Sequence, residues 1–380
     1  MRDPGPSNVS RTMIAVSITV FAITSLPVVA PAQQPKRPAN KPVHHGTVIT
    51  RKTSPAKHAA SLIRQMELPD RRSVAWRGIL SIGAPAAKPL ALATKDPRPE
   101  VHMRAFMLLS MLRRDGEQAL PILDEHIAGD DESLRYAAQW AKGHIEFRGK
   151  LLTDWSKHTV VHLNEDHVAV NTIKGLKGPW HAEPCGDGNT LVSEYGAGRV
   201  RVLDKEGKAL WEFKDCKNPY HAQRLPTGNT LISDASNERV IEVDLKGKIV
   251  WEKKGLQRPV AAMRLPDGHT LIVENRLGVC ELDASGEEIL RHKVGGNPIR
   301  AQRLLNGNTL VTSHGDNKVY ELDLDGKNAR EPIAAPKAQV ALRRRDGHTV
   351  ISSTKAWFEL DAKGHEIWRM PGSYATGVYW

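Results

Sequence analysis

The feature that most constrains this chain is a repeat of forty residues running through its C-terminal two-thirds. Gly188-Asn189-Thr190, Gly228-Asn229-Thr230, Gly268-His269-Thr270, Gly307-Asn308-Thr309 and Gly347-His348-Thr349 recur at spacings of 40, 40, 39 and 40. Each is followed by an Asp with a Gly three residues on: Asp204/Gly207, Asp244/Gly247, Asp283/Gly286, Asp323/Gly326 and Asp361/Gly364. Seven residues past the Asp stand Trp211, Trp251, Leu290, Arg330 and Trp368. Between these turn signals, short segments alternate apolar and polar residues, the period of half-buried strands. A unit such as HAQRL-PTGN-TLISD-ASNE-RVIEVD-LKG-KIVWE therefore reads as four strands. Repetition at this period is the signature of a propeller blade.

Five complete units leave the question of how the ring closes. Gly149 lies 39 residues before Gly188, and Val160 and Asn164 lie 40 before Val200 and Asp204. Residues 149–174 thus supply three strands of a sixth blade, and SYATGVYW at Ser373–Trp380 falls where its innermost strand is due. The expected fold is mainly β: a six-bladed propeller over 149–380, closed by pairing 373–379 against 149–154. Such pairing removes the open edges that promote aggregation.

Residues 55–148 have helical periodicity instead, in runs such as SVAWRGIL and VHMRAFMLLSML. Gly83, Leu90, Val101 and Ala105 recur 33 residues later as Gly116, Leu123, Leu134 and Ala138, which resembles HEAT-type helical repeats. A short array of this kind needs another surface to cover its end, and the propeller is the obvious one. Ahead of it, Arg2 and Arg11 precede an apolar run from Met13 to Ala30 ending in Ala30-Pro31-Ala32. That pattern predicts an export signal over 1–32, cleaved after Ala32, and a periplasmic or extracellular location; an uncleaved anchor is the alternative. Residues 33–54, rich in Pro, Lys and Arg, are expected to be a disordered linker. His44-His45 within it lacks the further ligands that a zinc site needs.

The net charge of +11 permits an anionic partner, but it is spread along the chain and marks no specific nucleic-acid site. Three cysteines are too few for a disulfide framework. Cys185 and Cys280 fall on apolar strand positions, and Cys216 falls in a loop.

Units reading RLPTGNTLISDASNERVIEVDLKGKIVWE and RLPDGHTLIVENRLGVCELDASGEEIL resemble the PQQ-like and arylsulfotransferase-like propeller repeats of exported bacterial proteins. In the sulfotransferases a histidine near the axis takes the sulfuryl group, and the resemblance leaves only His181 or His221 for that catalytic role. The tryptophan-docking pattern and calcium site of PQQ-dependent dehydrogenases have no counterpart here. No PQQ, other cofactor or metal is therefore expected.

In a propeller, the loop before the innermost strand and the loop after the second strand open on one face. The first set reads Trp180-His181, Tyr220-His221, Val260-Ala261, Ile299-Arg300 and Gln339-Val340, with Tyr374 expected as the sixth member. The second set carries Asp154, Glu194, Asp234, Glu274, Ser313 and Ser353. Ligand contact is accordingly expected at Trp180, His181, Tyr220, His221, Glu194, Asp234, Glu274 and Arg300. An imidazole beside an aromatic ring offers stacking plus a charge that changes near neutral pH. The competing reading gives the carboxylates to backbone amides or to Arg199 and Arg239.

Arg224, Arg264, Arg303 and Arg343 recur on the innermost strand, alongside Glu242, Glu281, Glu321 and Glu359 two residues before the Asp; the first unit lacks both, as Pro184 and Val202. Joint presence and joint absence predict structural ion pairs, since a buried charge without its partner is costly. Two functions remain open: a non-enzymatic exported binding or scaffold protein that presents one propeller face to a protein, glycan or small molecule, or an arylsulfotransferase-like enzyme. A histidine pair with carboxylates in hydrogen-bond reach would favour the enzyme, and an incomplete set would favour binding.

Overall fold

The Asp-x-x-Gly motif explains most of the local architecture. Asp204, Asp244, Asp283, Asp323 and Asp361 each accept, through Oδ1, the backbone N–H groups two and four residues on. The Gly between them adopts positive φ, 87° at Gly207, which a side chain would resist. The motif is thus a turn joining the third strand of a blade to the fourth. Asn164 serves the same role in the split blade, accepting from Val168 N at 2.9 Å.

The computed structural model describes residues 53–379. The expected export signal, the His44-His45 pair, the linker up to Lys52 and Trp380 lie outside them. Within them six antiparallel sheets of four strands form the ring. The innermost strands of the five continuous blades are Pro179–Pro184, Pro219–Arg224, Pro259–Arg264, Pro298–Arg303 and Ala338–Arg343. In the closing blade Ala375–Tyr379 is innermost, beside Lys150–Asp154, Thr159–Leu163 and Ala169–Ile173. Leu151 faces Tyr379, Leu152 faces Val378 and Thr153 faces Gly377, so the ring closes through both ends of the propeller sequence. This register corrects one expectation: Gly377 takes the place of His181, and Thr376 that of Trp180, leaving Tyr374 before the strand.

Blades are joined by apolar clusters between sheets, such as Val200 and Phe213 against Ala222, Ile232 and Ile241. At their edge the repeating arginine reaches the preceding blade. Arg264 pairs with Glu242 at 2.8 Å, Arg303 pairs with Glu281, and Arg343 lies 3.7 Å from Glu321. Arg224 and Arg264 also lie over Trp211 and Trp251, at 4.6 and 5.0 Å from the ring centroids, a cation–π contact. Lys150 closes the series, 3.2 Å from Glu359 and 4.9 Å from the ring of Trp368. Three of the four expected arginines therefore form ion pairs, and they do so between neighbouring repeats rather than within one. The correction matters for Arg224: its preceding blade offers Val202 where Glu should stand. Its Nη1 turns instead to the Gly228 carbonyl and Thr230 Oγ1, both at 2.7 Å.

Among the described residues six α-helices precede the ring: α1 (Pro55–Gln65), α2 (Arg72–Ile82), α3 (Ala87–Ala93), α4 (Pro99–Leu112), α5 (Leu120–Ala128) and α6 (Glu132–Glu146). Ser54 starts the first by capping Lys57 N, and Asp131 starts the last by accepting from Ser133 N and Leu134 N. Trp76, Leu90, Phe106, Leu109, Leu123 and Ile145 form their core. The helices meet the propeller at the Gly-Asn-Thr turns. Asp267 accepts from Ser73 Oγ at 2.5 Å and Trp76 Nε1 at 3.1 Å, and Arg345 pairs with Asp115 at 2.6 Å. Gly143 of α6 lies directly against Gly186, Tyr136 approaches Gly228, and Arg77 approaches Gly307. Phe147 stacks on His162 of the closing blade, 4.9 Å between centroids. All six blades are touched on this face.

Candidate functional site

The carboxylates expected at the uncovered mouth are spent on structure. Glu194, Asp234 and Glu274 are buried and accept the backbone N–H groups of Lys177, Lys217 and Gln257 at 2.6 to 2.7 Å, tying down the loop that enters each innermost strand. Glu194 also pairs with Arg199 and Arg201, Asp234 with Arg239, and Glu274 with Arg291. Asp154 does the same for Ser373 in the closing blade. Their filled valence removes Glu194, Asp234 and Glu274 from direct ligand contact.

What the uncovered mouth presents instead is aromatic. Trp155, Trp180, Tyr195 and Tyr220 pack together with centroids 4.6 to 5.6 Å apart, three of the five pairs edge to face and the other two tilted. Trp155, Trp180 and Tyr195 remain half-buried, and Tyr220 Oη accepts from Arg258 at 2.7 Å. Sequence reasoning found Trp180 and Tyr220 but missed Trp155 and Tyr195. The signal was there: each directly follows a strand-end acid, in two adjacent blades.

One turn deeper, the structure does bring His181, His221 and Arg300 to one level of the channel, with Ala261, Val340 and Gly377 completing the ring. The two imidazoles lie 4.2 Å apart, centroid to centroid. Neither contacts a carboxylate. Burial, then the Arg300 guanidinium, hold both imidazoles neutral, far below the usual histidine range. Burial thus works against the charge change near neutral pH expected from the sequence.

Two residues further along the strand the level reads Glu183, Gln223, Met263, Gln302 and Leu342. Gln223 and Gln302 accept the N–H of the next blade's arginine, Arg264 and Arg343, both at 2.7 Å. Glu183 makes the same bond to Arg224 N at 2.6 Å. Burial pushes its carboxyl up to about 7, against the pull of Arg224 N–H and Arg300. Arg300, buried with no counter-ion in contact, is lowered to about 10.

Below this level the channel widens into a cavity of about 450 Å³ that runs up to the helices. Trp76, Met107, Met111 and Trp140 form its apolar roof; Arg224, Arg264, Arg300, Arg303 and Arg343 stand on the propeller side. The exposed residues Met111, Arg330 and Arg345 mark its opening to solvent. Asp267, His269 and Glu281 form a group close enough to hold a cation, but each already has a protein partner. The three cysteines are buried and unpaired, Cys216 included, and burial pushes the thiols up to about 12.

The family model described as outer membrane protein assembly factor BamB matches residues 153–370. Among solved structures, a protein of unknown function from Bacteroides caccae is 18% identical, with a TM-score of 0.52 over 60% of this chain and 97% of its own. Virginiamycin B lyase from Staphylococcus aureus is 15% identical, with a TM-score of 0.45 over 59% of this chain and 81% of its own. At such identities the likeness concerns the fold. No curated protein matches the chain in sequence.

Proposed function

The chain belongs to the PQQ-like family of the outer membrane protein assembly factor BamB, and from that premise we propose an exported, non-enzymatic binding protein that offers its uncovered propeller face to a protein or small-molecule partner. The observation that carries this reading is the incomplete chemistry of the channel. His181 and His221 converge, yet no carboxylate orients either ring, and every acid at that mouth is already engaged. The helices occupy the opposite face, so the aromatic mouth is the one left to meet a partner. Aromatic clusters of this kind give large contact area at small entropic cost. Export rests on the basic start, the apolar run and Ala30-Pro31-Ala32. Among the described residues no helix is long and apolar enough to cross a membrane.

The test compares two double variants in the native host. Trp155→Ala with Trp180→Ala should abolish co-purification of the partner while changing the melting temperature by only a few degrees. His181→Ala with His221→Ala should retain the partner, because those rings lie below the mouth. Sulfuryl transfer from an aryl sulfate that disappears in the histidine variant would replace this reading with the enzymatic one.

A further inference from the structure

The polar lining of the cavity beneath the helices is dominated by cations: Arg224, Arg264, Arg300, Arg303 and Arg343 stand against two acids, Glu183 and Glu321, of which Glu321 Oε2 has no hydrogen-bond partner. Trp140 Nε1, Arg224 Nε, Arg300 Nε and both ring nitrogens of His221 are buried without a hydrogen-bond partner. The residues are 4, 2, 7 and 3% exposed. All but one of these nitrogens are donors in any protonation state, and a neutral imidazole keeps one donor of its two. Buried polar atoms are ordinarily paired, and several orphaned donors lining a single cavity is a departure that needs a cause.

Charge points the same way. Arg264, Arg303 and Arg343 have carboxylate neighbours from the preceding blade, and Glu321 lies 3.6 Å from Arg330 and 3.7 Å from Arg343. Arg224 and Arg300 form no ion pair among the described residues. Each arises from a departure from the repeat that the fold does not demand: Val202 where the partner of Arg224 would stand, and Arg300 where other blades carry His, Ala or Val. Glu183 is the one carboxyl whose charge acts on both, and burial raises it to about 7, so two guanidinium groups share a single, partly neutralised acid, an arrangement that is costly unless a further anion joins them. The roof, by contrast, is largely apolar, with Trp76, Met107, Met111 and the face of Trp140, and Arg113 adds a further cation from the helical side. A volume of about 450 Å³ suits one small molecule.

We propose that this cavity is a binding site for a small amphipathic anion, whose carboxylate or phosphate head group sits between Arg224 and Arg300 and whose apolar body lies under Trp76, Met107 and Trp140. The head group accepts from the guanidinium nitrogens, His221 and the Trp140 indole, the donors that Glu183 and Glu321 leave unpaired. The site is distinct from the aromatic mouth and does not depend on what that mouth binds.

The test uses the full-length exported protein with octanoate, octyl phosphate and octylamine as probes, read by calorimetric titration and by melting temperature. Octanoate and octyl phosphate should bind and stabilise, and the tighter of the two identifies the head group; octylamine should do neither. Arg300→Met should weaken anion binding at least tenfold. The unliganded Arg300→Met protein should melt at or above the wild-type temperature, because an uncompensated buried charge has been removed. Arg224→Met should give the same loss of binding, so the result does not hang on one variant's folding. Octylamine binding as well as octanoate, acetate binding as tightly as octanoate, or undiminished octanoate binding in both variants would each overturn the assignment.

Discussion

The two ends of the propeller channel are built on opposite principles. At the uncovered mouth Glu194, Asp234 and Glu274 each have an arginine and a backbone N–H, Asp154 holds Ser373, and what faces outward is a packed set of aromatic rings. At the helix-covered end, cations outnumber their partners and an apolar roof closes over them. The first end repeats the same solution blade after blade, because strand-end acids hold the entering loops. The second varies from blade to blade. Chemistry in this molecule is therefore found where the repeat is broken, and stability where it is kept.

The sharpest way to break that comparison is at a kept position. Arg303→Met removes the cation from a pair whose side chains are both under a tenth exposed, leaving Glu281 with only His269. A loss of about 3 kcal/mol is expected in chemical denaturation, since stranding one member of a buried pair is strongly destabilising. Arg300→Met, at a broken position, should cost nothing. Equal losses in the two would erase the distinction.

The covered end can be tested at Gly143, on α6. In an isolated helix, Gly→Ala is stabilising by roughly 0.5–1 kcal/mol. Here a Cβ would meet the backbone of Gly186, which cannot step aside as a flexible side chain would. Gly143→Ala should therefore destabilise by about 2 kcal/mol through overpacking. A rise in melting temperature would mean that the helices do not sit on the propeller as described.

The smallest effect concerns Glu183. Its folded-state value of about 7 lies above the ordinary value of 4.5, so the stability it contributes is fully present below 4.5 and is lost as pH rises through 7. Glu183→Gln, which copies Gln223 and Gln302, should raise stability at pH 8 by on the order of 1–2 kcal/mol and flatten that side of the profile. The acid side has a different origin. His144, lowered to about 3, and His181 and His221, also depressed by burial, contribute stability present above about 6.5 and lost as pH falls. Urea titrations of wild type and variant across pH 4 to 9 measure both limbs.

Much of the fold was legible because a repeat displays its own register. The Gly-Asn-Thr and Asp-x-x-Gly motifs locate turns, and Gly149, Val160 and Asn164 place the split blade before any coordinate is known. Arg224 shows the limit: within one repeat its loss of Glu is invisible, because its partner belongs to the repeat before it. Pairing between units has the same period as pairing within them, so the sequence pattern does not separate the two. The site was less legible than the fold. His181, His221 and Arg300 stand at one level as expected. Their burial, and with it the downward shift of both imidazoles, depends on depth in the channel, which no local pattern encodes. The roof was unreadable, since Trp76, Met107 and Trp140 look like ordinary helical core residues until the helices are set upon the ring.

Closure by Ala375–Tyr379 also sets an order of events during synthesis. Thr153 is made early and waits for Thr376, 223 positions later, before its sheet gains an innermost strand. At translation rates of about 5–20 residues per second, that interval is on the order of 10–40 s. Throughout it, Lys150–Asp154 carries a bare edge and the channel has a missing wall. The helices, complete before the first blade, have nothing to sit on until most blades exist. Under the export proposed above the delay is useful, because a ring that cannot shut early is easier to keep unfolded for passage across a membrane.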